Sequence, residues 1–263
     1  MGDKLTVCAV QSTIIWENLK ANRIKLDAVF ESINSDQIDL VVFPETFVSG
    51  FTMNPKSVAE TMNGQTVKWL KQHAAKGQFL IIGSMVIQEQ QKFYNRLMVI
   101  YPDQRLEYYD KRHLFSLANE DQFYEKGERR MIISYKGFKI CPLICYDLRF
   151  PVFSRNNDQS YDVLIYVANW PKPRINAWKI LLSARAIENL SYVVGVNRIG
   201  KDDDEVVYTG DSQIIDPLGH VLVAAKNSEQ PEILTYQLEL DTIKAVRNKF
   251  NFLNDMDQFE LKG

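Results

Sequence analysis

The sequence predicts an α/β fold with mixed sheets covered by helices. Strand-length apolar runs alternate with amphipathic helical runs in both halves of the chain. Between Met85 and Tyr109 the pattern changes to short alternating ribbons, which adds antiparallel strands to an otherwise parallel arrangement. No low-complexity linker divides the 263 residues, and 46% hydrophobic content suffices for a sizeable core, so residues 1–263 are expected to form a single domain.

Leu5–Val10 reads as a buried strand, and Glu17–Asn34 as a helix with Leu19, Leu26, Val29, Phe30 and Ile33 on one stripe. Leu40–Phe43 is a second short apolar run, ending abruptly at Pro44-Glu45-Thr46. Gly50 and Asn54-Pro55 mark the stretch from Phe47 to Pro55 as loop. Gln65–Lys76 carries Val67, Leu70 and Ala74 on a helical face, and Gly77 suits its C-terminal cap. Phe79–Gly83 is a further buried strand; Gln90-Gln91 and Pro102-Asp103 then break the ribbon region, whose last strand, Arg105–Tyr109, delivers Asp110-Lys111-Arg112-His113. Leu114–Lys126 has no clear period and predicts a loop with a helical turn holding Glu120.

A Lys136-Gly137 turn opens the apolar run Phe138–Ile144, which stops at Cys145. Tyr146, Asp147 and Arg149 follow where a strand should continue, and Phe150-Pro151 to Arg155 begins a helix. Tyr161–Val167 is a buried strand ending at Ala168-Asn169-Trp170-Pro171; Ile175–Leu190 is a helix buried along Ala177-Trp178, Leu181-Leu182, Ala186 and Leu190. Tyr192–Val196 is the next strand. Lys201–Glu205 reads as a solvated acidic loop rather than a calcium site, because no glycine-turned ligand pattern follows. Ser212–Ile215 and His220–Ala224 form a hairpin around Asp216–Gly219. Ile233–Leu240 is a strand, and Asp241–Lys249 a closing helix capped by Asp241.

Composition narrows the function. A net charge of −2 draws the chain to neither nucleic acid nor an anionic membrane. No apolar run approaches the roughly 20 residues of a membrane helix, and the N-terminus enters a strand without a signal-peptide pattern. Three cysteines, an odd count, favour a reducing compartment, so a cytoplasmic location is expected. His73, His113 and His220 make no zinc spacing among themselves or with the cysteines.

Three polar groups remain, each just beyond a strand: Glu45, Lys111 and Cys145. Singly, each has a plainer explanation, as a loop glutamate, a solvated lysine and a small buried thiol. A thiol at a strand end, before polar residues and a helix start, is nevertheless how a nucleophile is presented. His113 is the alternative base. A redox role for Cys141-Pro-Leu-Ile-Cys145 is weaker, since the spacing exceeds Cys-x-x-Cys and the two residues lie too far apart along one strand to bridge.

At these motifs the chain resembles the nitrilase (carbon–nitrogen hydrolase) superfamily: Phe43-Pro44-Glu45, Tyr109-Asp-Lys111-Arg-His-Leu-Phe115 and Ile144-Cys145-Tyr-Asp-Leu-Arg-Phe-Pro151, then Ala184–Asn189, Val196-Asn-Arg198 and Gly210–Gly219. The resemblance implies an αββα four-layer sandwich, a Glu45–Lys111–Cys145 triad, and a second, positioning glutamate. Glu120 fits that position best, with Glu125 the alternative. It further implies a homodimer, and it requires no metal or organic cofactor. In the chemistry so implied, Lys111⁺ favours a partial thiolate, Glu45 moves protons, and Lys111 with the Tyr146 N–H holds the oxyanion. Cys145-Tyr-Asp leans towards amides over nitriles. Asn119-Glu120 and Asn169-Trp170-Pro171 with it resemble the omega-amidase branch, which acts on monoamides of short dicarboxylic acids. Such a small-molecule substrate carries a carboxylate; Arg174, after Trp170, is the first candidate to bind it and Arg149 the second. The runner-up is another amide-type hydrolase of this fold, for example one acting on N-carbamoyl amino acids. A catalytically idle scaffold is the reading from a different class.

Overall fold

The computed structural model describes residues 3–33, 37–226 and 230–259. Its first sheet contains β1 (Lys4–Gln11), β2 (Leu40–Val42), β3 (Leu80–Glu89), β4 (Lys92–Ile100) and β5 (Leu106–Asp110), joined at one edge by the late strand β14 (Glu232–Glu239), in the order β14-β1-β2-β3-β4-β5. The second contains β6 (Ile133–Tyr135), β7 (Phe138–Ile144), β8 (Val163–Ala168), β9 (Tyr192–Asn197), β12 (Gln213–Ile215) and β13 (Val221–Ala224), in the order β13-β12-β9-β8-β7-β6. A two-stranded ribbon, β10 (Ile199–Lys201) with β11 (Val207–Thr209), stands apart. In both large sheets three parallel strands, β1-β2-β3 and β7-β8-β9, are flanked by antiparallel ones.

Strand alternation builds the layers. On β1, Leu5, Val7 and Ala9 join Leu40, Val42, Leu80 and Ile82 in a cluster with the second sheet. The intervening Cys8 and Val10, with Val41 and Ile81, face instead α1 (Leu19–Ser32) and α3 (Gln65–Gly77) through Leu26, Phe30, Val67 and Leu70. α5 (Ile175–Asn189) covers the second sheet with Trp178, Leu182 and Ala186, and comes so close that a Cβ at Gly195 of β9 would meet Leu182 at 2.4 Å. α6 (Leu240–Phe250) follows β14 out of the first sheet, yet its Arg247 pairs with Asp162, just before β8, at 3.0 Å. That crossing ties the two sheets together. The expected mixed sheets flanked by helices are the observed architecture.

Several local expectations need correction. The long first helix starts at Leu19, because Asn18 caps it through the Ala21 N–H and leaves Glu17 in a turn; Asn34 lies outside the described residues. Gln78, not Gly77, takes the left-handed cap of α3 (φ +52°), while Gly77 is demanded by packing, a Cβ there falling 2.1 Å from the Phe79 ring. α6 begins at Leu240 after Glu239, so Asp241 sits in its first turn, not at its cap. The sequence gives too few residues to reveal α2 (Pro55–Val58) or β6, and α4 is a single turn, Pro151–Ser154. The acidic loop is only partly solvated: Asp202 is buried, accepting the Tyr208 hydroxyl at 2.8 Å and the N–H groups of Asp204 and Val206. Parallel β2, β7, β8 and β9 all end at one rim, where ligands of α/β proteins bind.

Candidate active site

At that rim a cavity of about 650 Å³ is lined by Glu45, Lys111 and Cys145, which the three strand ends bring together. Glu45, three residues past β2, is 1% exposed, and its carboxylate is fully engaged. Oε1 accepts Lys111 Nζ at 2.9 Å and Asn95 Nδ2 at 2.8 Å; Oε2 accepts the Asn169 N–H at 2.8 Å. Asn169 Nδ2 also donates to the Glu45 carbonyl at 2.6 Å, so the end of β8 fixes the glutamate's backbone as well as its carboxylate. The next residue, Thr46, is held at φ +42°, an unusual conformation for a β-branched residue.

Lys111 directly follows β5, and its ammonium lies between two carboxylates: Glu45, and Glu120 at 3.0 and 2.9 Å. Glu120 is fully buried in a 3₁₀ turn and also accepts the Phe115 N–H at 2.6 Å. Glu125, the alternative, is on the surface beside Lys92 at 3.4 Å. Burial opposes charge on Lys111, but Glu120 and then Glu45 outweigh it and hold the ammonium above the ordinary lysine range. Burial raises the Glu120 carboxyl despite the neighbouring Lys111.

Cys145 opens a 3₁₀ turn, Cys145–Arg149, with φ +41°, so the strand breaks and the side chain is turned into the cavity. Glu45 and the Asn169 backbone both act on its thiol, Glu45 against ionisation and Asn169 in favour of it. Burial drives this thiol well above the ordinary cysteine range and Glu45 adds to the effect, while Lys111 opposes it without prevailing. The expectation of a partial thiolate at rest is therefore corrected. Lys111⁺ is already shared between two carboxylates, so the ground state is a neutral thiol beside a base.

The Tyr146 N–H belongs to the first turn after Cys145, where amide hydrogens lack intrahelical acceptors. Trp170 lines the cavity and donates its indole N–H to the Arg174 carbonyl at 2.8 Å. Both candidate arginines line it too: Arg149 lies over the Trp170 ring at 4.9 Å and Arg174 over Phe115 at 5.2 Å. Among the described residues neither guanidinium has an ion-pair partner. His113 is turned away, stacked on Phe150 at 3.8 Å with Nδ1 on Asp147 Oδ1 at 2.7 Å.

Two functional positions escape sequence reasoning. Asp147, fully buried, accepts the Ile144 N–H (2.9 Å), the Tyr109 hydroxyl (2.8 Å) and the His113 N–H (3.1 Å). It thereby fixes the cysteine turn to residues on either side of Lys111. Asn95 bridges both glutamates; its signal is a polar residue at an inward position of an alternating ribbon, a signal too common to act on alone.

The carbon-nitrogen hydrolase family model matches residues 6–248. The chain belongs to the carbon–nitrogen hydrolase family. Within that family it is 40% identical over 260 residues to a Yersinia enterocolitica protein named omega-amidase YafV, covering 98% of both chains. It is 32% identical to the 2-oxoglutaramate amidase of Bacillus subtilis, covering 96% of this chain and 98% of that one. A crystal structure of a CN-hydrolase superfamily protein from Xanthomonas campestris, described as having an arsenic adduct in the active site, superposes with a TM-score of 0.95 at 40% identity, over 98% of this chain and 99% of that one. As a member of this family, the protein is an amidohydrolase acting on non-peptide carbon–nitrogen bonds.

Proposed function

We propose that this carbon–nitrogen hydrolase is an omega-amidase, converting monoamides of short dicarboxylic acids, of the 2-oxoglutaramate and succinamate type, to the acid and ammonia. The observation that carries the reading is the presence in one cavity of the Glu45–Lys111–Cys145 cluster and two guanidiniums without an ion-pair partner among the described residues, Arg149 and Arg174. A carboxylate at the far end of the substrate would gain a charge-assisted, often bidentate contact there. The names of the Yersinia and Bacillus relatives point the same way.

The charge balance dictates the order of proton movements. Cys145 sulfur attacks the amide carbon while Glu45 takes the thiol proton, so the thiolate never needs to accumulate. The carbonyl oxygen becomes an oxyanion held by the Lys111 ammonium and the Tyr146 N–H. Glu45 returns its proton to the nitrogen, the C–N bond breaks, and ammonia leaves a thioester on Cys145. Water then loses a proton to Glu45 and attacks the thioester; the C–S bond breaks and sulfur recovers its proton. Glu120 holds Lys111 in place throughout. In this reading residues 1–263 act as a single domain in a cytoplasmic homodimer. The three cysteines are free, as a reducing compartment requires. Exposed Ile180 and Ile187 on α5, with Val221 on β13, offer apolar surface to a second copy.

Ammonia release from a panel of small amides tests the substrate. 2-Oxoglutaramate and succinamate should exceed butyramide in kcat/KM by about 30-fold or more, the equivalent of one charge-assisted contact. Faster turnover of butyramide or of N-carbamoyl amino acids would overturn the reading and favour the runner-up.

A further inference from the structure

Asn95 sits in the middle of β4, opposite Val86 of β3, and is 1% exposed. Its side-chain nitrogen donates to Glu45 Oε1 at 2.8 Å and reaches Glu120 Oε1 at 3.5 Å; its backbone carbonyl accepts the Lys111 N–H at 3.0 Å. One strand residue therefore touches three charged residues of the cluster. The amide orientation follows from chemistry: turning Oδ1 towards the glutamates would set an acceptor against two carboxylates. As placed, Oδ1 is buried without a hydrogen-bond partner among the described residues, so contacts to NH₂ fix the side chain.

We infer that Asn95 is the positioning residue that keeps Glu45 ionised, and so able to act as base at neutral pH. The inference rests on the reading of Glu45 as that base. Lys111 alone is a poor guarantor of Glu45's charge, since it sits equally close to Glu120. The two carboxylates compete for one ammonium, and Glu45 favours protonation of Glu120. A neutral donor on Glu45 breaks the tie because it stabilises the carboxylate and adds no charge. The bond to Glu45 is short and that to Glu120 is at the limit, so the donor acts chiefly on the base. Asn169 is the other neutral donor to Glu45, but its N–H at 2.8 Å and its Nδ2 at 3.5 Å both reach Oε2, whereas Asn95 donates to Oε1, the oxygen that faces Lys111. The remaining titratable neighbours do not compete. Tyr124 and Tyr208 are held neutral by burial, their hydroxyls donating to the Thr52 carbonyl and to Asp202, and Cys145 is itself a neutral thiol.

The test is the pH dependence of kcat/KM for succinamate in wild type, Asn95→Leu, Asn95→Val and Glu45→Gln, each first shown to melt cooperatively. Leucine nearly matches asparagine in shape, and valine suits a strand should leucine fail to fold. The acid limb of either variant should move up by about one to two pH units, the worth of a lost hydrogen bond to a charged group. The plateau at higher pH should stay within about tenfold of wild type, because a base restored to its ionised form works again. A lowered plateau with an unmoved limb would mean that Asn95 only supports the structure, and would overturn the inference. If Glu45→Gln retains the wild-type acid limb, the base assignment itself fails, a result the Asn95 variants alone cannot produce.

Discussion

Glu45 and Lys111 on one side of the cavity, with Glu120 behind them, are 1% exposed or less, and every charged atom among the three has a hydrogen-bond partner. Arg149 and Arg174, in the same cavity, are only half-buried and rest on aromatic faces without an ion pair among the described residues. The reacting groups are over-determined by β2, β4, β5 and β8, whereas the arginines end two 3₁₀ turns, Cys145–Arg149 and Lys172–Arg174, that hold their backbones and leave their charges without an ion pair. Chemistry that must be aligned to fractions of an ångström is built into strand ends. Recognition of a flexible, charged substrate is left to side chains whose binding capacity is unspent.

The largest effect should come from the reacting wall. Cys145→Ala should lower kcat by at least about 10⁴-fold, because the covalent route is lost with the nucleophile. The melting temperature should move little, since the variant removes one sulfur atom that lines the cavity. Appreciable turnover in this variant would dissolve the contrast by showing that the cluster does not act through sulfur.

Next come the charged partners, and here activity and stability should part. Glu45→Gln should cost about 10²–10⁴-fold in kcat through loss of the base. Lys111→Met should lose about 10²–10³-fold from the oxyanion site and also about 3–5 kcal/mol of stability in urea titration, since it strands two buried carboxylates. The Lys111 ammonium is held above its ordinary value, so its stabilisation is complete below about pH 10.4 and lost only as pH climbs past the raised value. The stability gap to Lys111→Met should therefore stay level on the alkaline side until about pH 10. The kcat losses in the double variant should be far from additive, and strict additivity would mean that the two residues serve separate steps.

The recognition wall should respond differently. Arg174→Ala should cost about 30- to 5,000-fold in kcat/KM for succinamate while leaving butyramide nearly unchanged. Arg149→Ala supplies the comparison, and the larger of the two losses identifies the carboxylate ligand. Equal losses on butyramide would place the arginines with the reacting groups and erase the distinction between the walls.

The smallest effect is the most diagnostic of the resting state. Glu45 raises the Cys145 thiol and Lys111 lowers it, so Glu45→Gln should make the thiol ionise at lower pH than wild type even as turnover collapses. Thiolate absorbance against pH measures this directly, and an unchanged or raised titration would contradict the charge balance derived for the site. In the wild type, iodoacetamide should label Cys145 before Cys8 or Cys141, because Cys145 opens into the cavity beside Glu45 whereas the other two are fully buried. Labelling of Cys141 first would move the nucleophile into β7.

By itself the sequence determined where strands end and what stands there. Apolar runs stopping at Pro44-Glu45, Asp110-Lys111 and Ile144-Cys145 are one-dimensional signals, because a buried strand must be apolar and its polar successor must leave the core. The helices α1, α3 and α5 were legible for the same reason, their buried stripes repeating at helical spacing. Only the tertiary structure decided what those ends mean to one another. That Lys111 is shared between Glu45 and Glu120, leaving Cys145 a neutral thiol, depends on distances near 3 Å between residues 9 and 66 positions apart. Asn95 stayed invisible and Asp147 had no role beyond its place in a motif, because a buried polar residue takes its role from its partners, and partners from other strands leave no local pattern. Asp202 misled for the mirror-image reason: a charged run looks solvated until a tyrosine and a turn of backbone N–H groups close over one of its members.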